Sequence, residues 1–275
     1  MKIRQALIWG AKNLNKFASS ALDAEVLLVF VLKKDKTWLF SHLNIDLSAK
    51  LINKYKKLIS RRKKGEPVAY ITNHKEFFGL DFYVDESVLI PRPETELLVD
   101  EALKFRKKKM KILDVGTGSG NIIISIMVNS KQLTDNRYYA TDISSEALKI
   151  AQKNAKKHKV FSKIKFIHSD LFDNLYKIKF DLIVANLPYL QKQDIKGEIT
   201  YEPKRALLGG EEGVAIIKRF LLGSKNYLAK NGKIIIEIDP RQAKTIKDMA
   251  KNIYPDKKVL LKQDLSKLDR MMILR

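Results

Sequence analysis

From Met110 onward the chain alternates short apolar runs with segments long enough for a helix, and few architectures accept that rhythm. The runs are Ile112–Val115, Tyr138–Thr141, Phe166–His168, Asp181–Ala185, Ile234–Ile238, Val259–Leu261 and Met271–Leu274. Runs this short and apolar read as strands covered on both faces, and parallel strands need a helix-length crossover between them. The expectation is an α/β fold with a doubly wound, mostly parallel, seven-stranded sheet. Ligands of such sheets sit beyond the carboxyl ends of the strands. Gly116–Gly120, Asp142, Asp170 and Asn186 all fall at those ends, so one crevice should collect them.

Upstream the period is helical. Ile3, Leu7, Ile8, Ala11 and Leu14 recur at helix spacing, as do Leu22, Val26, Leu27 and Val29 to Leu32, and then Leu51, Ile52, Tyr55, Leu58 and Ile59. Ser20 and Ser48 are read as helix caps. Gly65-Glu66-Pro67 breaks the pattern, residues 68 to 90 alternate, and Phe77 to Val84 reads as a hairpin turning at Gly79. Three parts are expected: a helical domain over 1–67, a linker with a β-hairpin over 68–90, and the sheet domain over 91–275.

Composition narrows the chemistry. The absence of cysteine excludes disulfides, thiolate metal sites and cysteine nucleophiles. His42, His74, His158 and His168 are scattered without ligand spacing, so no metal is expected. Lys and Arg number 53 against 31 Asp and Glu, a formal charge of +22, which leaves a weak contact of the basic surface with nucleic acid open. Only eleven of those cations are arginine and the lysines are spread along the chain, so a general lysine bias explains the charge equally well. The apolar run Val26 to Leu32 is far shorter than the roughly 20 residues a membrane span needs. No membrane association, a cytoplasmic location and a monomer are expected.

The glycine loop Gly116-Thr117-Gly118-Ser119-Gly120 lets backbone approach a ligand closely and opens a helix whose N-terminus favours a carboxylate or phosphate. It is not the dinucleotide fingerprint, and Asp114 on the preceding strand suits a cofactor with an amino-acid end. Asp142 is placed to accept from both hydroxyls of a ribose; its other reading is a cap for the helix near Ser144. Asp170, with Leu171 or Phe172, is placed to meet an adenine, against the alternative of a plain capping turn. Asn186-Leu187-Pro188-Tyr189 supplies an amide acceptor, a stiffened backbone and a flat face, which suits orienting the poorly nucleophilic nitrogen of an amide or exocyclic amine. Its bland reading is an Asn-x-Pro turn. Arg92, Glu94 and Glu96 in Ile90 to Glu96 open a helix or wall the site, and Tyr201-Glu202-Pro203 with Leu208-Gly209-Gly210 is read as a loop flanking the substrate.

Taken in order, Ile90 to Glu96 (IPRPETE), Asp114 to Gly120 (DVGTGSG), Asp142-Ile143-Ser144, Ser169-Asp170, Asn186 to Tyr189, and Tyr201-Glu202-Pro203 resemble the peptide chain release factor N5-glutamine methyltransferases (PrmC/HemK) over nearly the whole chain. The resemblance implies S-adenosylmethionine as cofactor and the glutamine of the Gly-Gly-Gln motif of release factors as substrate. It implies cofactor binding by Gly116, Thr117, Gly118, Ser119, Gly120, Asp142, Asp170, Leu171 and Asn186. Substrate binding falls to Asn186, Leu187, Pro188 and Tyr189, with Asn186, Pro188 and Tyr189 as the catalytic set, and the N-terminal helices help dock the release factor. Two departures stand out. Leu187 occupies a position usually proline, as in the loop of adenine dimethyltransferases, which keeps an adenine-N6 methyltransferase acting on RNA or DNA as the alternative; a non-catalytic module binding the translation machinery is a further rival. Glu237-Ile238-Asp239-Pro240 replaces a segment that often holds glycine, and is expected to alter a surface turn.

Overall fold

The computed structural model describes residues 1–105, 107–130, 135–176 and 178–275. They form two compact units, Met1–His74 and Lys75–Arg275.

The first unit is helical: α1 (Ile3–Asn13), α2 (Ser20–Leu32), α3 (Lys36–Ser41), α4 (Ala49–Lys63) and α5 (Val68–Thr72). Its core gathers Ile3, Leu14, Leu27, Leu28, Leu39, Tyr55 and Ile59, all essentially inaccessible. Ser48 caps α4 by accepting the Leu51 N–H. Ser20 does not cap α2; Ser19 holds that position, and its hydroxyl donates to Asp23 instead. Asp23 also accepts from Arg62 Nε at 2.6 Å, and the Arg62 guanidinium lies 3.9 Å from the Phe17 ring centroid. Arg62 is thus buried with its charge paired, and removing one partner of such a pair costs about 3–5 kcal/mol. Helix α5 corrects the expectation of alternation from residue 68. Pro67 starts that single turn of helix and Asn73, in the left-handed region, ends it.

The second unit opens with the expected hairpin, β1 (Lys75–Phe77) and β2 (Leu80–Phe82), turning through Phe78 and Gly79, both at positive φ. Helix α6 (Glu96–Lys104) follows, and Glu96 accepts the Phe78 N–H at 2.8 Å, pinning the hairpin turn to the helix start. Then come β3 (Lys111–Val115), α7 (Asn121–Asn129), β4 (Arg137–Asp142), α8 (Ser145–Lys157), β5 (Ile164–His168), β6 (Phe180–Ala185), α9 (Ala215–Ser224), β7 (Leu228–Glu237), α10 (Ala243–Ile253), β8 (Val259–Gln263) and β9 (Asp269–Leu274).

The seven strands form one sheet in the order β5-β4-β3-β6-β7-β9-β8, parallel except for β9, which runs antiparallel to both neighbours. Side chains alternate between two cores. Ile112 faces Leu98, Val99, Ile123 and Ile124 of α6 and α7, whereas Leu113 and Val115 join Ile217, Phe220 and Ile246 of α9 and α10. Burying each such side chain contributes about 1.5–3 kcal/mol, and both faces must be covered for a parallel sheet to persist. The order reverses between β3 and β6, and that reversal opens the crevice at their carboxyl ends. Among the described residues, no helix is long and apolar enough to cross a membrane.

Candidate active site

One pocket lies over the carboxyl ends of β3, β4, β5 and β6, and it brings together Gly116 to Ser119, Asp142, Asp170, Leu171 and Asn186 to Pro188. The glycine loop forms because β3 runs straight into residues at positive φ. Gly116, Gly118 and Gly120 have φ of 74, 54 and 80°. A Cβ added at Gly118 would meet nothing within 4 Å, so the loop leaves open space where a ligand can lie against backbone. Gly120 does not line the pocket; it precedes α7 and packs against α8. Beneath the loop, Asp114 is fully buried and accepts the Thr117 hydroxyl at 2.6 Å. Burial pushes its carboxyl up to about 7, with the nearby Asp142 charge acting in the same direction and the Thr117 hydroxyl bond opposing it.

Asp142 closes β4. Its carboxylate accepts the Gly118 N–H and the Ser144 N–H, each at 2.8 Å, and burial raises its pKa against the pull of these bonds and of Arg205. The cap of α8 is Ser144, which accepts the Ala147 N–H, so Asp142 sits at the pocket wall without being the helix cap. Ile143, half exposed although apolar, lies beside it at the rim. At the end of β5, Asp170 is paired with Arg219 at 2.8 Å, and Leu171 lines the pocket at φ 48°. Phe172 turns away; it is buried in the core and stacks on Tyr227 with centroids 5.1 Å apart.

Asn186 leaves β6 half-buried, and its Nδ2 donates to Thr95 Oγ1 at 3.1 Å. Thr95 in turn donates to Glu237 Oε2 at 2.5 Å, and the Tyr189 hydroxyl donates to Glu237 Oε1 at 3.0 Å. Burial raises the Glu237 carboxyl above the usual range while the two hydroxyl bonds oppose it; burial and Glu237 together raise the Tyr189 phenol, which stays a neutral donor. Tyr189 lies in an adjoining smaller pocket with Leu89, Arg92, Asn186, Ile199 and Leu207. The side chain of Leu187 is buried, packing into the core below the glycine loop, with Cδ2 3.3 Å from where a Gly116 Cβ would stand.

The flanking segments are tied to this loop. Glu202 accepts the Ile90 N–H at 3.0 Å and pairs with Arg92, which joins the turn before α6 to the loop after β6. The Leu190 N–H donates to the Leu207 carbonyl and the Gly209 N–H to the Leu190 carbonyl, and a Cβ at Gly209 would fall 2.8 Å from the Pro188 carbonyl oxygen. Gln242 donates to the Tyr189 carbonyl at 2.9 Å. The segment Glu237–Pro240 is therefore no surface turn. Glu237 and Asp239 are buried, and Asp239 caps the turn at Pro240–Gln242 while pairing with Arg241. Thr95, Glu237, Gln242 and Ile143 are site residues to which the sequence alone assigns no role; of these Glu237 carries a signal, an acid directly after the apolar run Ile234–Ile236.

Comparison with known proteins fits this geometry. Residues 5–72 match the family described as the PrmC N-terminal domain, and residues 106–271 match a methyltransferase domain. A release factor glutamine methyltransferase of Coxiella burnetii is 39% identical, covering 92% of this chain and 91% of its own length. One of Bacillus anthracis is 32% identical, covering 99% and 98%. The chain belongs to the release factor glutamine methyltransferase family. A solved methyltransferase of Pyrococcus furiosus, 17% identical with a TM-score of 0.54, covers 78% of this chain and 95% of its own and shares the fold. As in this family, the methyl donor is S-adenosylmethionine. The pocket fits it: open space over Gly118, an acceptor carboxylate at Asp142, and apolar side chains of Ile143 and Leu171 at the rim.

Asp142→Ala should weaken S-adenosylmethionine binding about tenfold or more, near 1.4 kcal/mol, by removing a charge-assisted acceptor and freeing the Gly118 amide. Calorimetric titration reads the change. Unaltered affinity in the folded variant would assign Asp142 to loop structure alone.

Proposed function

We propose that the chain transfers a methyl group from S-adenosylmethionine to the side-chain amide nitrogen, N5, of the glutamine in the Gly-Gly-Gln motif of peptide chain release factors. The observation that carries this reading is the set of Asn186: its Nδ2 is committed to Thr95, so Oδ1 is the end of the amide offered to a substrate. When bound, S-adenosylmethionine supplies an electrophilic methyl on a sulfonium, so that the methyl–sulfur bond breaks as the carbon–nitrogen bond forms and the nitrogen then sheds a proton to water. Asn186 Oδ1 and the Leu187–Pro188 carbonyls accept the amide protons, which turns the nitrogen lone pair toward the methyl carbon. Tyr189 packs its ring on the amide plane. Orientation is the contribution asked of these residues, and no strong base is required because the nitrogen becomes acidic once alkylated.

The helical segment 1–67 docks the release factor, residues 68–90 link it, and 91–275 carry the transfer. The enzyme works as a monomer in the cytoplasm, where its substrates act, and its basic surface makes at most weak contact with RNA. The Asn-Leu-Pro-Tyr sequence favours adenine-N6 methylation as the alternative. Leu187 weighs little toward it, since its side chain is buried under the glycine loop and it keeps the backbone carbonyl, differing from proline there only by an added N–H and a freer φ.

Labelled S-adenosylmethionine offered to a release factor, to the same factor with its Gly-Gly-Gln glutamine changed to alanine, and to unmodified ribosomal RNA tests this reading. Label should enter the first alone. N6-methyladenine in the RNA with none in the protein would overturn it.

A further inference from the structure

We infer that Thr95 and Glu237 are positioning residues that fix which end of the Asn186 amide faces the substrate. The inference rests on the reading of Asn186 as the acceptor for the substrate amide. An asparagine side chain is nearly symmetrical in shape, so nothing in its size prevents the NH2 from turning into the crevice, where it would repel the NH2 of a glutamine. Orientation must come from its partners.

The partners form a one-way chain. Glu237 ends β7, and Ile236 just before it is in register with Ala185, so its carboxylate stands beside the start of the Asn186 loop. It is 3% exposed, and each of its two oxygens accepts from a hydroxyl, Oε2 from Thr95 and Oε1 from Tyr189. The Thr95 hydroxyl, itself 2% exposed, has a single proton and donates it to Glu237 Oε2 at 2.5 Å. Toward Asn186, Thr95 can then only accept, and the group 3.1 Å away is Nδ2. Reversing the Asn186 amide would set Oδ1 against a hydroxyl oxygen with no proton left, two acceptors buried face to face. The other carboxylate oxygen takes the Tyr189 hydroxyl, so a single acid sets both ends of the Asn186–Tyr189 loop. Thr95 is rigidly delivered. Pro91 and Pro93 fix the backbone entering its turn, and its N–H bonds the Arg92 carbonyl at 3.2 Å.

Three variants separate this role from plain packing. Thr95→Val keeps the shape and removes the proton relay; Thr95→Ser keeps the hydroxyl and removes a methyl; Glu237→Gln keeps the volume but can no longer accept from both hydroxyls with both of its terminal atoms. Thr95→Val and Glu237→Gln should lower kcat on a release factor about tenfold or more, with S-adenosylmethionine affinity by calorimetry held within about twofold, whereas Thr95→Ser stays within about threefold of the parent in kcat. A second measurement needs no substrate. In the protein labelled with 15N-asparagine, the Asn186 side-chain NH2, identified by its loss in Asn186→Asp, should exchange slowly with solvent, and faster in Thr95→Val. Full kcat in Thr95→Val, equal loss in the Ser and Val variants, or unchanged NH2 exchange in Thr95→Val would overturn the inference. Failure of the parent enzyme to label the release factor would instead overturn the substrate reading, leaving the exchange measurement to decide the role of Thr95.

Discussion

Asn186→Ala is expected to lower turnover on a release factor by about 100-fold or more, a loss of at least roughly 2.7 kcal/mol of transition-state stabilisation. An amide nitrogen shares its lone pair with the neighbouring carbonyl, and it becomes a nucleophile only when its protons are held and the pair is aimed. Alanine at 186 removes the acceptor that holds one proton and leaves the Thr95 hydroxyl oxygen without its Nδ2 partner. The backbone carbonyls of Leu187 and Pro188 survive the substitution, so some aligning power remains. Because Asn186 also borders the cofactor pocket, S-adenosylmethionine affinity should fall too, though by less than turnover. Steady-state kinetics paired with calorimetric titration separates the two effects. A variant that keeps its fold and cofactor affinity and turns over within a few-fold of the parent would remove Asn186 from the reaction.

The sheet and its crevice were legible because they depend on local sequence. The strands β3, β4 and β6 are compact apolar runs, and each of β3 to β6 ends on, or is followed within two residues by, a residue type with unusual freedom or polarity: Gly116, Asp142, Asp170 and Asn186. Short helices were less legible. Helices α3 and α5 have six and five residues, too few turns for a 3.6-residue period to stand out, and α5 was hidden inside a segment expected to alternate. Confusing Ser20 with Ser19 is a one-residue error of the kind helix ends invite.

What could not be read was the support behind the site. Thr95 bonds to residues 91 and 142 positions away, and no spacing rule links them. The same holds for Glu202 reaching back 112 positions to Ile90. Such contacts arise only when the sheet order has set β7 beside β6 and the turn before α6 above both. Leu187 shows the converse. It stood out in the sequence as a departure at the reacting loop, yet its side chain is spent on packing under Gly116. A residue's place in a motif does not say whether its side chain or its backbone is used.

The glycine loop yields the second large effect, and it divides within five residues. Gly120→Val should destabilise the protein by about 2–5 kcal/mol, since a β-branched residue in the left-handed region costs roughly 1–2 kcal/mol and overpacking a filled core adds roughly 1–3. Gly120 has φ 80°, and a Cβ there would stand 2.9 Å from Ile124 Cδ1 and 3.2 and 3.3 Å from Ala151 Cβ and Cα. Ile124 and Ala151 are fully buried in α7 and α8, so neither can give way without opening the contact between those helices. For a domain of this size the thermal midpoint should drop by about 5–20 °C. Gly118→Val is the control, because at φ 54° it carries comparable backbone strain while its Cβ meets nothing within 4 Å. Its midpoint should fall by only about the strain, roughly 1–2 kcal/mol, while S-adenosylmethionine binding drops by about tenfold or more as the added side chain occupies the open space over the loop. Calorimetric melting and titration on both variants decide the matter. Equal loss of stability in the two, with equal cofactor affinity, would mean that the loop's glycines serve backbone strain alone and that the space over Gly118 is not where the cofactor lies.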